Sequence, residues 1–587
     1  MATFNAPVSD IQFVLNDVLN INQLTKFEKF QDATPDMVES ILYEAKKFCE
    51  NELAPMRQAN DEQGCVYNGS TVVYPDGVQG AYKAYAEAGW MGLASDPEWG
   101  GQGLPYTLSK AVEEMVCGAN VSFALVPGLT GGAFEAIEAS ASQAVKETYL
   151  EKMCNGEWTG TMNLTEPQAG TDLGAVKTTA VDNGDGSFNL TGGKIFISGG
   201  DHELADNVIH FVLARLSDAP AGVRGLTTFV VPKFKLNADG SASTERNGVK
   251  PVSIEEKMGI HGSGTCTMSF EDAQGWIVGE PGQGIQNMFV MMNKARIMVG
   301  FQGLGLCELA TQNAIAYAQD RKQGKGLKGG EEIAIIEHPD VRRMLLTMKA
   351  VTEGSRVMAY ETALSEDIKN GSDDPAEREA ASDWFELGTP LTKAFCTDQA
   401  FELGSTAVQV YGGHGFVSEH GVEQIIRDAK ILALYEGTNG VQAMDLARRK
   451  LLMKGGALPK AFFARVEACI AEAGDDVDYL KAPMGEAIAQ LKEATTWMQT
   501  QFMADGEPDN AGSGAVPYLR AFSLVYLGYA WIRMAQAAQN HPDADFKEAK
   551  IATAKFFAAR MLPEVKALCA DAMVGGDTVM ALAAGKF

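Results

Sequence analysis

The chain has 587 residues, of which 46% are hydrophobic and 21% charged, with a formal net charge of -27. That length predicts about three or four structural units, and the composition is ordinary for a folded globular protein. So acidic a surface repels phosphate backbones and argues against a nucleic-acid partner.

The nine cysteines are odd in number and none form a C-x-x-C pair. Buried, reduced thiols are expected, with neither a disulfide framework nor a zinc site. Asp10 and Asp17 precede the first basic residue, Lys26. No basic leader is read there, and a cytoplasmic location is expected. Residues 115–134 carry no charge over 20 positions, but they include Gly118, Asn120, Pro127, Gly128, Gly131 and Gly132. Residues 521–532 are apolar for only 12 positions, between Arg520 and Arg533. Both stretches read as buried core, and no membrane partner is expected.

In chain order, Ser9-Asp-Ile-Gln12 has the form of a capping box before a first helix. Thr34-Pro-Asp36 predicts another, through Glu39 to Glu52. Helical character then continues to about Met153, broken by the glycine-rich Glu98-Trp-Gly-Gly-Gln-Gly103. From near Thr159 to about Glu280 short β-branched and aromatic runs take over, such as 208–213 and 227–231. Turn signals such as Asp182-Asn-Gly-Asp-Gly186 separate them, which predicts a small antiparallel barrel or sandwich. Helical spacing returns beyond Gly284. A loop at 323–330 separates two long helices, and 366–377 forms a polar break. A helical tail follows Lys454-Gly-Gly456, with Ile488, Leu491, Met498 and Phe502 on one face. The expected class is multidomain α+β, divided at 1–158, 159–283, 284–455 and 456–587.

Several catalytic signatures are missing. Gly324-Lys-Gly-Leu-Lys-Gly329 matches G-x-G-x-x-G, but it follows a helix and cannot open a nicotinamide-binding βαβ unit. There is no phosphate loop, nucleophile elbow or H-E-x-x-H. The seven histidines show no metal spacing.

Three segments stand out: Leu164-Thr-Glu-Pro-Gln-Ala-Gly-Thr-Asp172, Gly193-Lys-Ile-Phe-Ile-Ser198 and Gln409-Val-Tyr-Gly-Gly-His-Gly-Phe416. The last is followed by Arg427-Asp-Ala-Lys430 and Leu434-Tyr-Glu-Gly-Thr-Asn439. Each has a bland reading alone. Thr165-Glu-Pro could enter a strand, Gly412-Gly413 could mark a close helix approach, and Glu436 could be a solvated helix-end carboxylate. In this order, on a helix–β–helix layout, they resemble the acyl-CoA dehydrogenase family over residues 35 to 455.

The resemblance implies an N-terminal helical domain, a middle antiparallel β-domain and a C-terminal four-helix domain with a helical extension. FAD would lie between the β-domain and the C-terminal helices. Leu164 and Thr165 match contacts to the flavin ring. Thr171 stands where a Ser is usual, Phe196 replaces a Trp beside the isoalloxazine, and Ser198 replaces a Thr. Arg321, Gln409 and Gly413 match contacts to FAD across a subunit interface, which implies a homodimer or homotetramer. Thr438 matches a pyrophosphate or adenosine contact, and Gly440 stands where a Gln often contributes. Arg296 matches a helix arginine near the CoA portion of the substrate, which Thr171, Tyr435 and Gly437 would also face. Phe123 and Leu125 lie where the family lines its acyl pocket, although core packing accounts for them equally well. Glu436 matches the base that removes the substrate's α-proton. The alternative base position of the family is Ala295 here, which cannot take a proton. His261, His414, Glu166 and Asp172 read as loop residues.

The implied activity is FAD-dependent α,β-dehydrogenation of an acyl-CoA, with electron-transfer flavoprotein as acceptor. The extension and Glu337-His-Pro-Asp-Val-Arg-Arg-Met-Leu-Leu346 resemble a longer subgroup of the family. That subgroup includes members acting on 3-(methylthio)propanoyl-CoA in dimethylsulfoniopropionate breakdown, with 3-(methylthio)acryloyl-CoA as product. General short- or medium-chain oxidation and an acyl-CoA oxidase are the alternatives. Some flavoproteins of this fold bind DNA through a basic extension. Here residues 451–587 hold 13 Lys/Arg against 16 Asp/Glu, which argues against that role.

Overall fold

A computed structural model describes residues 2–503 and 505–587. The chain groups into two compact units, each discontinuous in sequence. One comprises residues up to 46, 106–118 and 299–587, and the other 47–105 and 119–298.

The second unit is built on a seven-stranded sheet. Its strands are β1 (Trp158–Asn163), β2 (Thr179–Asp182), β3 (Phe188–Ser198), β4 (Asn207–Leu216), β5 (Leu226–Pro232), β6 (Val249–Ile254) and β7 (Thr265–Val278). The order is β6-β7-β3-β2-β4-β1, and β5 pairs with both β7 and β4. Strands β7, β3, β2, β4 and β5 therefore close into a ring, which leaves few exposed edges. The expected antiparallel β-domain is corrected at two pairs, since β1 and β2 each run parallel to β4. Strand β4 is buried over its first eight residues. A strand covered on both faces has no polar alternation from which direction can be read. Val212, Ala214, Phe229, Val231, Cys266 and Phe270 fill the core of this unit.

The first unit is helical. Helix α1 (Pro35–Phe48) starts as expected, with Met37 N–H donating to Thr34 Oγ1 at 3.4 Å. The expected capping box at Ser9 does not form. The opening helix is Val8–Gln12, with Pro7 in the capping position and Ser9 already inside the first turn. Helix α2 (Tyr106–Ser140) starts in this unit, and its later part, which belongs to the other, is broken at Asn120 (φ -160°), whose Oδ1 accepts from Phe123 N–H at 3.2 Å. Among the described residues α2 is long and apolar enough to cross a membrane, but 83% of its most apolar window is buried.

The long helices that follow are α3 (Gly284–Asp320), α4 (Pro339–Gly371) and α5 (Pro375–Tyr411). Residues 322–334 hold a short hairpin between α3 and α4. The polar break between α4 and α5 narrows to 372–374, because Asp367 is buried. It accepts from Tyr106 N–H at 2.7 Å and Thr107 N–H at 2.8 Å, and so caps α2. Short α6 (Glu423–Leu432) and α7 (Asn439–Met444) come next. The extension is four longer helices: α8 (Ala457–Glu472), α9 (Asp478–Thr500), α10 (Pro508–Ala538) and α11 (Ala544–Arg560). Trp531 and Tyr526 of α10 are fully buried, and Trp531 Nε1–H donates to Ala350 O of α4 at 3.1 Å. All nine cysteines are free, and no metal-binding cluster occurs among the described residues.

Candidate active site

The candidate flavin residues of the β-unit gather around one irregularity. Strand β3 pairs with β7 through Ile197↔Cys266 and Lys194↔Met268, so Ile195 and Phe196 together oppose Thr267. That is a β-bulge, which re-aims side chains. Phe196 takes a left-handed backbone (φ 61°) and stands 61% exposed. Ile195 N–H donates to Thr165 O at 2.9 Å. Lys194 points the other way, fully buried, with Nζ donating to Leu164 O at 3.1 Å and Glu166 Oε1 at 2.8 Å.

Glu166 also accepts from Lys177 N–H (2.8 Å), Thr178 N–H (3.0 Å) and Thr178 Oγ1–H (2.6 Å). Burial alone would raise its pKa, but Lys194 and these donors hold the carboxyl at about 2. Burial pulls the Lys194 ammonium down to about 8 against the attraction of Glu166. Leu164, Thr165, Phe196 and Ser198 thus surround one braced bulge. Thr171 lies farther out on the exposed loop, and Asp172 shapes that loop by accepting from Gly174 N–H at 3.1 Å.

Of the other candidate residues in this unit, Arg296, Phe123 and Leu125 are buried. Arg296 is buried, with Nη1–H donating to Asn293 Oδ1 at 3.3 Å and its guanidinium 5.6 Å from the Phe289 ring. Phe123 and Leu125 are core residues, with Phe123 edge-on to Tyr85 at 5.6 Å. His261 contacts Asp61 at 3.0 Å.

In the helical unit Glu436 sits in the turn between α6 and α7. Glu436 (φ 54°) and Gly437 (φ 82°) are both left-handed. A glycine adopts that conformation freely, whereas a glutamate there costs about 1–2 kcal/mol. Tyr435 O–H donates to Gln302 Oε1. Burial, and then the neighbouring Glu436 carboxylate, push the Tyr435 phenol well above its ordinary range. Thr438 caps α7 by accepting from Val441 N–H at 3.3 Å.

Lys393, which belongs to none of the sequence motifs, and Asn439, the last residue of the Leu434–Asn439 motif, hold this turn. Buried Lys393 Nζ donates to Gly437 O and Asn439 Oδ1, both at 2.8 Å. Asn439 Nδ2–H donates to Ala394 O, Thr397 Oγ1 and Asp398 Oδ1 at 3.1, 2.9 and 2.7 Å. A single charged residue, Lys393, in the otherwise uncharged helical stretch 387–397 is the available signal.

Arg321, Gln409 and Gly413 are exposed at one end of this unit. Tyr317 stacks on Tyr411 at 4.0 Å and pairs with His414 at 2.8 Å, which joins the ends of α3 and α5.

These residues fit a flavin. The β-unit presents an exposed aromatic face flanked by hydroxyls, on a backbone bent to expose it. In the helical unit the buried Gln302 Nε2 and Gln442 Oε1 have no hydrogen-bond partner among the described residues. Such orphaned polar atoms are what a bound ligand would satisfy.

Family models match almost the whole chain: acyl-CoA dehydrogenase N-terminal domain at 36–157, middle domain at 161–273 and C-terminal domain at 282–451. The chain belongs to the acyl-CoA dehydrogenase family. A fourth model, acetyl-CoA dehydrogenase C-terminal like, covers 462–583 of the extension. This dehydrogenase is 40% identical to 3-methylmercaptopropionyl-CoA dehydrogenase of Ruegeria pomeroyi, over 98% of this chain and 99% of that one. It is 35% identical to a butyryl-CoA dehydrogenase of Syntrophomonas wolfei, over 95% and 94%. A solved acyl-CoA dehydrogenase from Bacillus anthracis, complexed with FAD, shares the fold (TM-score 0.75, 22% identity, covering 95% and 91%). As a member of this family the chain is an FAD-dependent oxidoreductase acting on acyl-CoA thioesters.

Proposed function

We propose that Glu436 is the base that removes the α-proton of the acyl-CoA. The observation that carries this reading is its backbone, a glutamate held left-handed in a buttressed turn, where an unconstrained residue would relax. An α-C–H beside a thioester is weakly acidic, so the carboxylate must be oriented and largely desolvated to act as a base. The Glu436 backbone N–H would donate to the thioester carbonyl and stabilise developing enolate charge. Bound FAD supplies the acceptor for the β-hydride. Leu164, Thr165, Thr171, Phe196 and Ser198 would hold the ring, with Thr438 nearer the pyrophosphate or adenosine. Tyr435, Gly437, Thr171 and Arg296 would face the substrate. Glu436→Gln should keep the flavin spectrum but lose at least about 100-fold in bleaching by substrate. Bleaching at the wild-type rate would overturn the assignment.

The substrate we propose is 3-(methylthio)propanoyl-CoA, giving 3-(methylthio)acryloyl-CoA in dimethylsulfoniopropionate breakdown. The near-complete overlap with the Ruegeria enzyme supports it, while the Syntrophomonas relative favours butanoyl-CoA as the second reading. In a panel of acyl-CoAs, kcat/KM should be highest for the methylthio thioester, and preference for butanoyl-CoA would select the alternative. Electron-transfer flavoprotein is the proposed acceptor, and prompt peroxide formation without it would indicate an oxidase. A homodimer or homotetramer is proposed, with Arg321, Gln409 and Gly413 reaching the neighbouring subunit's cofactor. The exposure of Phe416 (86%) and Leu327 (88%) supports that arrangement. The nine free thiols are consistent with the cytoplasm.

A further inference from the structure

We infer that Lys393 is a positioning residue for catalysis. Its buried ammonium, with Asn439, fixes the left-handed turn that carries the base, an inference that rests on Glu436 being that base. Lys393, Ala394, Thr397 and Asp398 lie one turn apart on the same face of α5. All four bond to Gly437 or Asn439. A whole helical turn is therefore given over to holding two residues, Gly437 and Asn439, where the α6–α7 connection enters α7.

The contact of Gln442 with the carbonyls of this turn is weaker. Gln442 Nε2 lies 3.5 Å from Glu436 O and 3.4 Å from Gly437 O, at the limit of useful hydrogen bonding. The bond from Lys393 to Gly437 O is short and charge-assisted, which makes it roughly twice as strong as a neutral one. Burying an ammonium is costly unless its donors are matched, and here a carbonyl of the base's own turn is one of the matches. Asn439 completes the clamp, as its N–H donates to Ala433 O at 3.0 Å and closes the connection from α6 into α7. With the ammonium removed, the Gly437 peptide can rotate and Glu436 can leave the left-handed region. Displacement of a base by about an ångström costs on the order of 100-fold in rate.

The experiment is single-turnover flavin bleaching by substrate in the FAD-loaded enzyme, as a cycle of wild type, Lys393→Met, Glu436→Gln and the double variant. Methionine keeps an unbranched buried side chain and deletes the donor. Lys393→Met is expected to lower the bleaching rate by about 30- to 100-fold, with substrate Kd and FAD content within about threefold of wild type. In the Glu436→Gln background the same change should cost almost nothing, because the group it positions is already disabled. A wild-type rate in Lys393→Met overturns the inference, as does an equal loss in both backgrounds. A wild-type rate in Glu436→Gln instead sinks the base assignment itself. If Lys393→Met does not fold with FAD, Asn439→Ala carries the same cycle. It removes the clamp's other half, and a loss confined to the Glu436 background supports the inference while an additive loss overturns it.

Discussion

Phe196 and Glu436 share a backbone peculiarity. Among the described residues, six non-glycines have positive φ: Asn20, Phe196, Ile260, Asp272, Glu436 and Lys454. Asn and Asp tolerate that region through local hydrogen bonds, but Phe and Glu gain nothing from it. Strain of about 1–3 kcal/mol persists only where the surroundings over-determine it, and it clusters at functional sites. Both residues were legible in the sequence as members of motifs, but the dihedral was not, because it is set by partners far along the chain. Phe196→Ala tests the aromatic face. The side chain is mostly exposed, so thermal stability should hardly change. Loss of an aromatic contact of about 0.5–1.5 kcal/mol should weaken FAD binding roughly threefold to tenfold in a flavin fluorescence titration. Unchanged affinity would remove Phe196 from the flavin site.

At the scale of elements, the loop after β1 and strand β3 form one device. The Glu166–Lys194 pair turns a flexible Thr-Glu-Pro loop into a fixed rim by tying Leu164 to the bulged strand. The sequence reading saw Glu166 as loop-shaping, and the distances bear that out. Lys194 stands in the Gly193–Ser198 motif, but its bond to Glu166 is not legible there, because register shifts are invisible where pairing partners are distant in sequence. The pH dependence follows from the carboxyl. The Glu166 pKa is about 2 in the folded chain, below that of an unfolded Glu near 4.5. The unfolded state therefore binds more protons between those values, and stability rises with pH across that window. This contribution is complete above about pH 4.5 and is lost as the pH falls towards 2. Glu166→Gln should flatten that limb of an acid unfolding curve and weaken FAD retention at neutral pH. An unaltered acid limb would show that the brace contributes nothing.

At the scale of the molecule, the extension is integral to the helical unit. Glu361 of α4 is fully buried, and burial would raise its pKa, yet Arg465 and Arg533 hold it low. It accepts from Arg465 (2.7 Å), Arg533 (2.8 Å), Tyr526 (2.6 Å) and Tyr529 (3.3 Å), all from the extension. Lys550 likewise bonds Asp10 and Glu353, linking the first helix to α11 and α4. A chain ending at residue 455 would lose the ion pairs that Arg465 and Arg533 make with Glu361 and uncover the apolar α4 surface under Trp531. That fragment should be insoluble or molten by circular dichroism, and recovery of a cooperatively folded, FAD-binding 455-residue fragment would refute the claim. By itself the sequence determined the family, the helix–β–helix order and the cofactor, because each resides in local patterns and short motifs. Only the tertiary structure decided the mixed strand directions, the bulge under Phe196 and the Lys393–Asn439 clamp on the Glu436 turn. Those features depend on hydrogen bonds between residues tens of positions apart, and no local pattern encodes such a partner.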